Sequence, residues 1–171
     1  DFSFRGRGYP NKGHIPKKRQ RRKNLVAIRD GSIMAISSGI DIIRISRIRD
    51  IYNRKGDIFL NRIYTSFEIR SCTLRSGEVS MESLAARFAA KEAVSKALGT
   101  GIWRQGVSFT DIEIFVDEKG KPFLQLHGGA KAVFERMGGS DASVSISHDG
   151  DLATAICVIE YVRNSDSGDG E

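Results

Sequence analysis

The run RFAAKEAVSKALGTG, Arg87 to Gly101, constrains this chain more than any other stretch. Ala, Lys, Glu and Leu are strong helix formers and no proline interrupts, so it reads as a helix. Gly99, just past the last apolar residue, supplies the stop, because glycine adopts the left-handed conformation readily. Positions 85, 89, 93, 97 and 86, 90, 94, 98 form two adjacent rows at four-residue spacing, and both are wholly apolar. A stripe that wide is suited to packing on a sheet. The bordering row reads Leu84, Phe88, Glu92, Lys96. A carboxylate and an ammonium therefore stand one turn apart at the edge of the buried face. The last row, Arg87, Lys91, Ser95, is cationic. Glu followed four residues later by Lys is also a common decoration of exposed helix faces, contributing about 0.2–0.5 kcal/mol. A carboxylate beside three cations at a burial boundary suits a metal ion next to a polyanion, and the rest of the chain decides between the two.

The chain has 171 residues, enough for one domain with tails, and 40 % hydrophobic content supports a real core. Its net charge of +6 is unevenly spread. Residues 1–30 hold ten of the 27 basic and two of the 21 acidic residues, leaving 17 basic and 19 acidic in the remainder. The basicity belongs to the tail, whereas a nucleic-acid-binding fold carries its basic stripe on the folded surface. Cys72 and Cys157 have no metal-ligand spacing and give no disulfide framework. They read as buried free thiols of a reducing compartment, which with the absence of a signal-peptide pattern and of an apolar run of membrane-spanning length points to the cytoplasm.

Residues 1–30 form a basic tail that is expected to be disordered, a targeting or processing segment or an RNA-touching arm, and 164–171 a polar tail. Were the basic tail a transit remnant, the location would be organellar. Residues 31–163 are the expected domain. Ile33 to Ile43 reads as a buried strand, and helical patterns follow at Ser46 to Arg54, Asp57 to Tyr64 and Ser66 to Arg75. Ser80-Met-Glu-Ser looks like the start of the long helix. Val107 to Val116 and Pro122 to His127 read as strands around an Asp117–Gly120 turn, Ala130 to Met137 as a short helix, and Ala142 to Ser147 with Leu152 to Val162 as a hairpin around His148 to Asp151. The fold class is α+β: an antiparallel sheet packed against a long helix and several short ones.

Several familiar motifs are missing. Gly99-Thr-Gly101 follows a helix, whereas a dinucleotide fingerprint opens one, and no phosphate-loop motif occurs. The three histidines, at 14, 127 and 148, lack zinc spacing. Ser38-Gly-Ile-Asp41-Ile-Ile places an acid inside an apolar strand; a strand-end or turn aspartate is the plain alternative. Asp41 and Glu92 are nevertheless the two acids embedded most deeply in apolar sequence, and two such carboxylates completed by water and phosphate oxygens are what Mg²⁺ prefers.

GIDIIRISRI around Asp41, IYTSFEI with Thr65 and Glu68, RFAAKEAVSKALGTG, VSFTDIEI, GKPFLQLHG and SVSISHDGDLAT stand in the order and spacing of one family. Across residues 35–162 the chain resembles holo-[acyl-carrier-protein] synthase, the small trimeric branch of the 4′-phosphopantetheinyl transferases. The resemblance implies that fold, and transfer of 4′-phosphopantetheine from coenzyme A to a serine of an acidic apo-acyl carrier protein in support of fatty acid biosynthesis, with release of adenosine 3′,5′-bisphosphate. Asp41 and Glu92 match the Mg²⁺ ligands. Glu92 also matches the group that orients or deprotonates the serine hydroxyl, and Lys96 the lysine at the diphosphate. Arg87 matches a contact to the coenzyme A 3′-phosphate. His148 matches a residue at the coenzyme A phosphates or adenosine in the neighbouring subunit's site of a homotrimer, a turn histidine being the even alternative. Gly99 and Gly101 would let backbone approach the nucleotide. Arg47 and Arg54 match carrier-docking arginines. Lys91 reads as a solvated helix-face lysine, and Glu68 and Asp111 receive no role. Asp57 departs from the family pattern, which has a basic residue there, and one residue is inserted before Thr65.

Two other function classes stay open at this level. KKRQRRK in the tail is enough for sequence-independent nucleic-acid binding, which truncation of residues 1–30 would abolish without touching transferase activity. A catalytically silent assembly domain is the other, since fold does not guarantee chemistry; the intact set Asp41, Glu92 and Lys96 argues against it.

Overall fold

The computed structural model describes residues 26–27 and 33–163. Most of the expected basic tail and the whole 164–171 tail lie outside the described residues. Strand β1 (Val26–Ala27) falls within the segment assigned to the tail and pairs with the start of β2 (Ile33–Arg44). Then follow α1 (Ile45–Lys55), α2 (Asp57–Ile63), α3 (Ser66–Cys72) and the long α4 (Met81–Ala97). A single 3₁₀ turn (Phe109–Asp111) leads to β3 (Ile112–Val116) and β4 (Pro122–Leu126), then α5 (Gly128–Arg136), β5 (Gly139–Asp149) and β6 (Leu152–Arg163). One antiparallel sheet has the order β1-β2-β6-β5, and β3 with β4 forms a separate hairpin. The expected α+β class is the observed one.

The elements start and stop for local reasons. Ser80 caps α4 by accepting the Ser83 amide, as the Ser-Met-Glu-Ser signature predicts. Thr65 and Glu68 cap α3 reciprocally, and α3 ends at Cys72, three residues short of expectation. Val107 to Val116 is not one strand: Ser108 and Asp111 form a capping box around the 3₁₀ turn, so the strand begins only at Ile112. Arg44 offers no cap to α1. The cap comes from the β5–β6 turn instead, where Asp151 accepts the Ser46 amide at 2.8 Å and the Ser46 hydroxyl at 2.6 Å.

α4 is sandwiched. One side lies on β2 and β6; the other meets the β3–β4 hairpin and the 3₁₀ turn. Both apolar rows predicted from the sequence are buried from Ala85 to Leu98. Gly39 sets the approach of helix and sheet, because a Cβ there would run into the Ala93 carbonyl and the Ala97 amide. Ser37, two residues earlier on the same strand face, donates its hydroxyl to the Ala97 carbonyl at 2.6 Å. The opposite face of β2 is bare: Ile36, Ile40 and Ile42 are exposed, and Ile156 on β6, paired with Ile40, joins them. No helix among the described residues is long and apolar enough to cross a membrane.

Candidate active site

Strand parity puts Ser37, Gly39 and Asp41 on the face that α4 covers. Asp41 therefore points to the helix row that holds Glu92 and Lys96. Lys96 Nζ lies 2.7 Å from Asp41 Oδ1 and donates to the Ile40 carbonyl at 2.9 Å. Thr154 on β6 holds the strand in place by donating its hydroxyl to the Asp41 carbonyl at 2.9 Å. Lys96 takes Asp41, not Glu92, as its carboxylate partner. Glu92 is half-buried, and burial first, then the Asp41 charge, push its carboxyl above the ordinary range against the pull of Lys96.

The chemistry of this donor set fits Mg²⁺. Among the described residues no group of three His, Cys, Asp or Glu gathers around a common point. Two hard carboxylates, the Asp41 charge acting on Glu92, match an ion that is bound through one or two carboxylates and keeps the rest of its shell for water and phosphate.

Arg87 and His148 meet elsewhere. They line one cavity of about 280 Å³ with Ser83, Val116, Gly120 and Pro122. Arg87 is buried, and its guanidinium donates to the carbonyls of Ile114 and Ser83, both at 3.3 Å. Arg87 and Glu92 are five residues apart, about 140° around the helix axis. The cavity and the Asp41–Glu92–Lys96 group thus occupy different sides of α4.

The expectation for Lys91 is overturned. It is not solvated but fully buried, 2.7 Å from Glu68 Oε2, and Nζ also donates to the carbonyls of Ile112 at 2.6 Å and Phe109 at 2.9 Å. Glu68 accepts the amides of Ile114 at 3.0 Å and Thr65 at 2.8 Å. Burial pushes the Lys91 amine below its usual range, and the Glu68 carboxylate opposes this. Row 87, 91, 95 is buried throughout because the hairpin covers it.

A family model described as the 4′-phosphopantetheinyl transferase superfamily matches residues 37–157, which span both groups. The chain belongs to this superfamily. Its relatives include holo-[acyl-carrier-protein] synthases of Koribacter versatilis, 44 % identical over 127 residues covering 74 % of this chain and 99 % of that protein. Another, from Carboxydothermus hydrogenoformans, is 46 % identical over 123 residues, covering 72 % and 96 %. Among solved structures, the Helicobacter pylori holo-[acyl-carrier-protein] synthase in complex with coenzyme A is similar with a TM-score of 0.62 at 37 % identity, covering 71 % of this chain and 98 % of that one.

Other residues that the superfamily resemblance singled out are placed as follows. Arg47 and Arg54 are exposed on one face of α1, two turns apart, and Arg54 Nε donates to the Asp50 carbonyl at 3.1 Å. Gly99 and Gly101 have φ of 78° and 71°. Their amides bond the carbonyls of Lys96 and Ser95, at 3.0 and 3.2 Å, and neither glycine lines the Arg87–His148 cavity. Both serve to end α4. Asp111 accepts the Ser108 amide at 2.8 Å and shapes the turn before β3. Sequence reasoning gave no place to Glu113, which accepts the Thr65 hydroxyl at 2.6 Å and lies 3.3 Å from His127, nor to Trp103.

Proposed function

We propose that this chain transfers 4′-phosphopantetheine from coenzyme A to a serine hydroxyl of an apo-acyl carrier protein, releasing adenosine 3′,5′-bisphosphate. The observation that carries the reading is the convergence of Asp41, Glu92 and Lys96 where α4 crosses β2, in a chain so close to enzymes of that name. The serine oxygen forms a bond to the pantetheine-side phosphorus, and the bond from that phosphorus to the bridging oxygen breaks. Asp41 and Glu92 would hold Mg²⁺, which neutralises charge on the diphosphate. Lys96, exposed enough to leave Asp41, steadies the charge that grows on the leaving oxygen. Glu92 also orients the serine hydroxyl or takes its proton. Arg87 and His148 bind the nucleotide end.

The two groups on opposite sides of α4 favour a composite site, one subunit supplying Asp41, Glu92 and Lys96 and its neighbour Arg87 and His148. The cavity of about 280 Å³ falls just below the ~300–1,000 Å³ usual for a ligand pocket, which suits half a site. The bare isoleucine face of β2 and β6 is the expected subunit contact of a homotrimer. Two free, buried cysteines suit a reducing, cytoplasmic setting.

The test is mass spectrometry of an apo-carrier protein after incubation with the chain, coenzyme A and Mg²⁺. One added phosphopantetheine is expected, with Asp41→Ala and Glu92→Ala each lowering the rate by at least ~10²-fold. Normal activity in both variants overturns the assignment. Mixing inactive Asp41→Ala with inactive Arg87→Ala subunits, exchanged under mild denaturant, restores a fraction of activity only if sites are shared.

A further inference from the structure

Trp103 is the only tryptophan of the chain and occupies an unfavourable backbone position. Its φ is 66°, in the left-handed region that bulky side chains rarely adopt. Glycine would take that conformation without strain, as it does at positions 99, 101 and 106 of the same loop. The residue is also 57 % exposed, although an indole gains much from burial. Strain retained together with exposed apolar surface points to contact with a partner rather than to stability.

The surroundings say which partner. The indole stands edge-on to Phe109, with ring centroids 6.0 Å apart, and the Arg62 guanidinium of α2 lies 5.3 Å from its centroid. Phe109 packs on Phe88 at 5.2 Å. Phe88 precedes Glu92 by one turn in the same row of α4. A line of three rings therefore runs from the exposed indole to α4, ending one turn from Glu92. Ile58, 76 % exposed, is one turn before Arg62 on α2. α2 follows directly on α1, which carries the exposed Arg47, Arg54 and Lys55. A tryptophan, an arginine stacked on it and a bare isoleucine make the composition of an interface hot spot. The cations around them select a partner that carries carboxylates.

We propose that Trp103, Arg62 and Ile58 form a second contact for the acyl carrier protein, beside α1: the indole and Ile58 take an apolar side chain of the carrier, and Arg62 a neighbouring carboxylate. This rests on the reading that a carrier protein is the substrate. A partner that delivers a serine to Glu92 must cover the surface around it, and the ring line places Trp103 on that margin.

The experiment uses the full chain and an apo-carrier protein without tryptophan, so that Trp103 is the only indole emitting. Carrier alone is expected to shift its fluorescence, saturating near the KM for carrier, while coenzyme A alone does not. Trp103→Gly relieves the backbone strain and should melt no lower than the parent. Its KM for carrier should rise about tenfold or more, with KM for coenzyme A changed far less, and Trp103→Phe should recover part of the loss. Arg62→Ala should raise the same KM by a smaller factor. Phosphopantetheine transfer by the parent chain is followed in the same samples. If that transfer proceeds but carrier leaves the fluorescence unmoved, or Trp103→Gly melts lower with an unchanged carrier KM, the contact is wrong and the enzyme assignment stands. Fluorescence that responds to a single-stranded oligonucleotide and not to carrier also overturns the contact. Absence of any transfer overturns the assignment and the contact together.

Discussion

α4 carries two ion pairs of the same length and opposite character. Lys91 meets Glu68 at 2.7 Å with both side chains fully buried, while Lys96 meets Asp41 at 2.7 Å with side chains 47 % and 17 % exposed. Five residues separate the two lysines, enough to turn one toward the β3–β4 hairpin and the other toward the solvent edge of β2. The buried pair is saturated: two carbonyls complete the ammonium and two amides complete the carboxylate. Neither partner can leave without stranding a charge in a dry interior. The exposed pair has one further bond, from Lys96 to the Ile40 carbonyl. Water can replace that, so Lys96 can leave Asp41 without stranding a charge in a dry interior. The attraction is the same in kind; burial decides whether it fastens the helix or stays open to exchange.

The largest expected effect breaks the buried side. Glu68→Gln leaves the Lys91 ammonium without a counter-charge and should cost about 3–5 kcal/mol in urea unfolding. Glu68→Leu with Lys91→Met should regain much of that, since a well-packed apolar pair has no charge to compensate. The pH dependence follows from the lowered Lys91 pKa. The folded chain releases this proton at lower pH than the unfolded chain, whose lysine titrates near ~10.4. The unfolded state binds more protons between those two values, so this group's contribution to stability rises with pH across that window. In Glu68→Gln the amine falls further, the window widens downward, and the deficit should shrink as the solution is made alkaline. A Glu68→Gln variant within about 1 kcal/mol of the parent would remove the contrast between the pairs.

The exposed side should behave inversely. Lys96→Ala is expected to change stability by at most ~1 kcal/mol, because an exposed pair competes with water and salt. The same substitution should lower transfer of phosphopantetheine by ~10²–10³-fold, the usual cost of losing one group that stabilises transition-state charge. Thermal melts and initial rates on one preparation check both. A large loss of stability with little loss of rate would assign Lys96 to the same class as Lys91.

Much of this was legible in the sequence, and the exception is instructive. The two alanine-rich rows, the Ser80 start and the Gly99 stop of α4 follow from local chemistry, and they emerged as read. Asp41 was singled out by its apolar setting and assigned by resemblance, and strand parity with Gly39 puts it against the helix. Lys91 was misread because helical periodicity identifies a buried face only when one face is buried. Here a second layer covers the cationic row, and that layer is built 18 and 21 residues further on, at Phe109 and Ile112. The signal that could have exposed it is Glu68, an acid whose capping-box bond to the Thr65 amide leaves its charge without a counter-charge. The late start of β3 was readable too, since Ser108-Phe-Thr-Asp111 is itself a capping pattern. The isoleucines on both faces of β2 could not be sorted into inside and outside from the sequence, because alternation vanishes when both faces are apolar.

The smallest effect distinguishes the two sides of α4 without unfolding anything. Burial pushes the Cys72 thiol up to about 11, with Glu68 adding to the rise and Arg87 and Lys91 opposing it. Burial alone pushes Cys157 up to about 12. At pH 8 a thiol of pKa ~11 is thiolate about one part in a thousand, and only thiolate attacks a disulfide reagent. The native chain should therefore label at neither cysteine on a timescale of minutes, and at both once denatured. Glu68→Gln loosens the dry side, where Cys72 sits at the end of α3, so Cys72 should label several-fold faster while Cys157 under the sheet keeps its parent rate. Lys96→Ala should change neither rate. Equal acceleration of both cysteines in Glu68→Gln would mean that the buried pair holds the whole domain rather than one side of the helix.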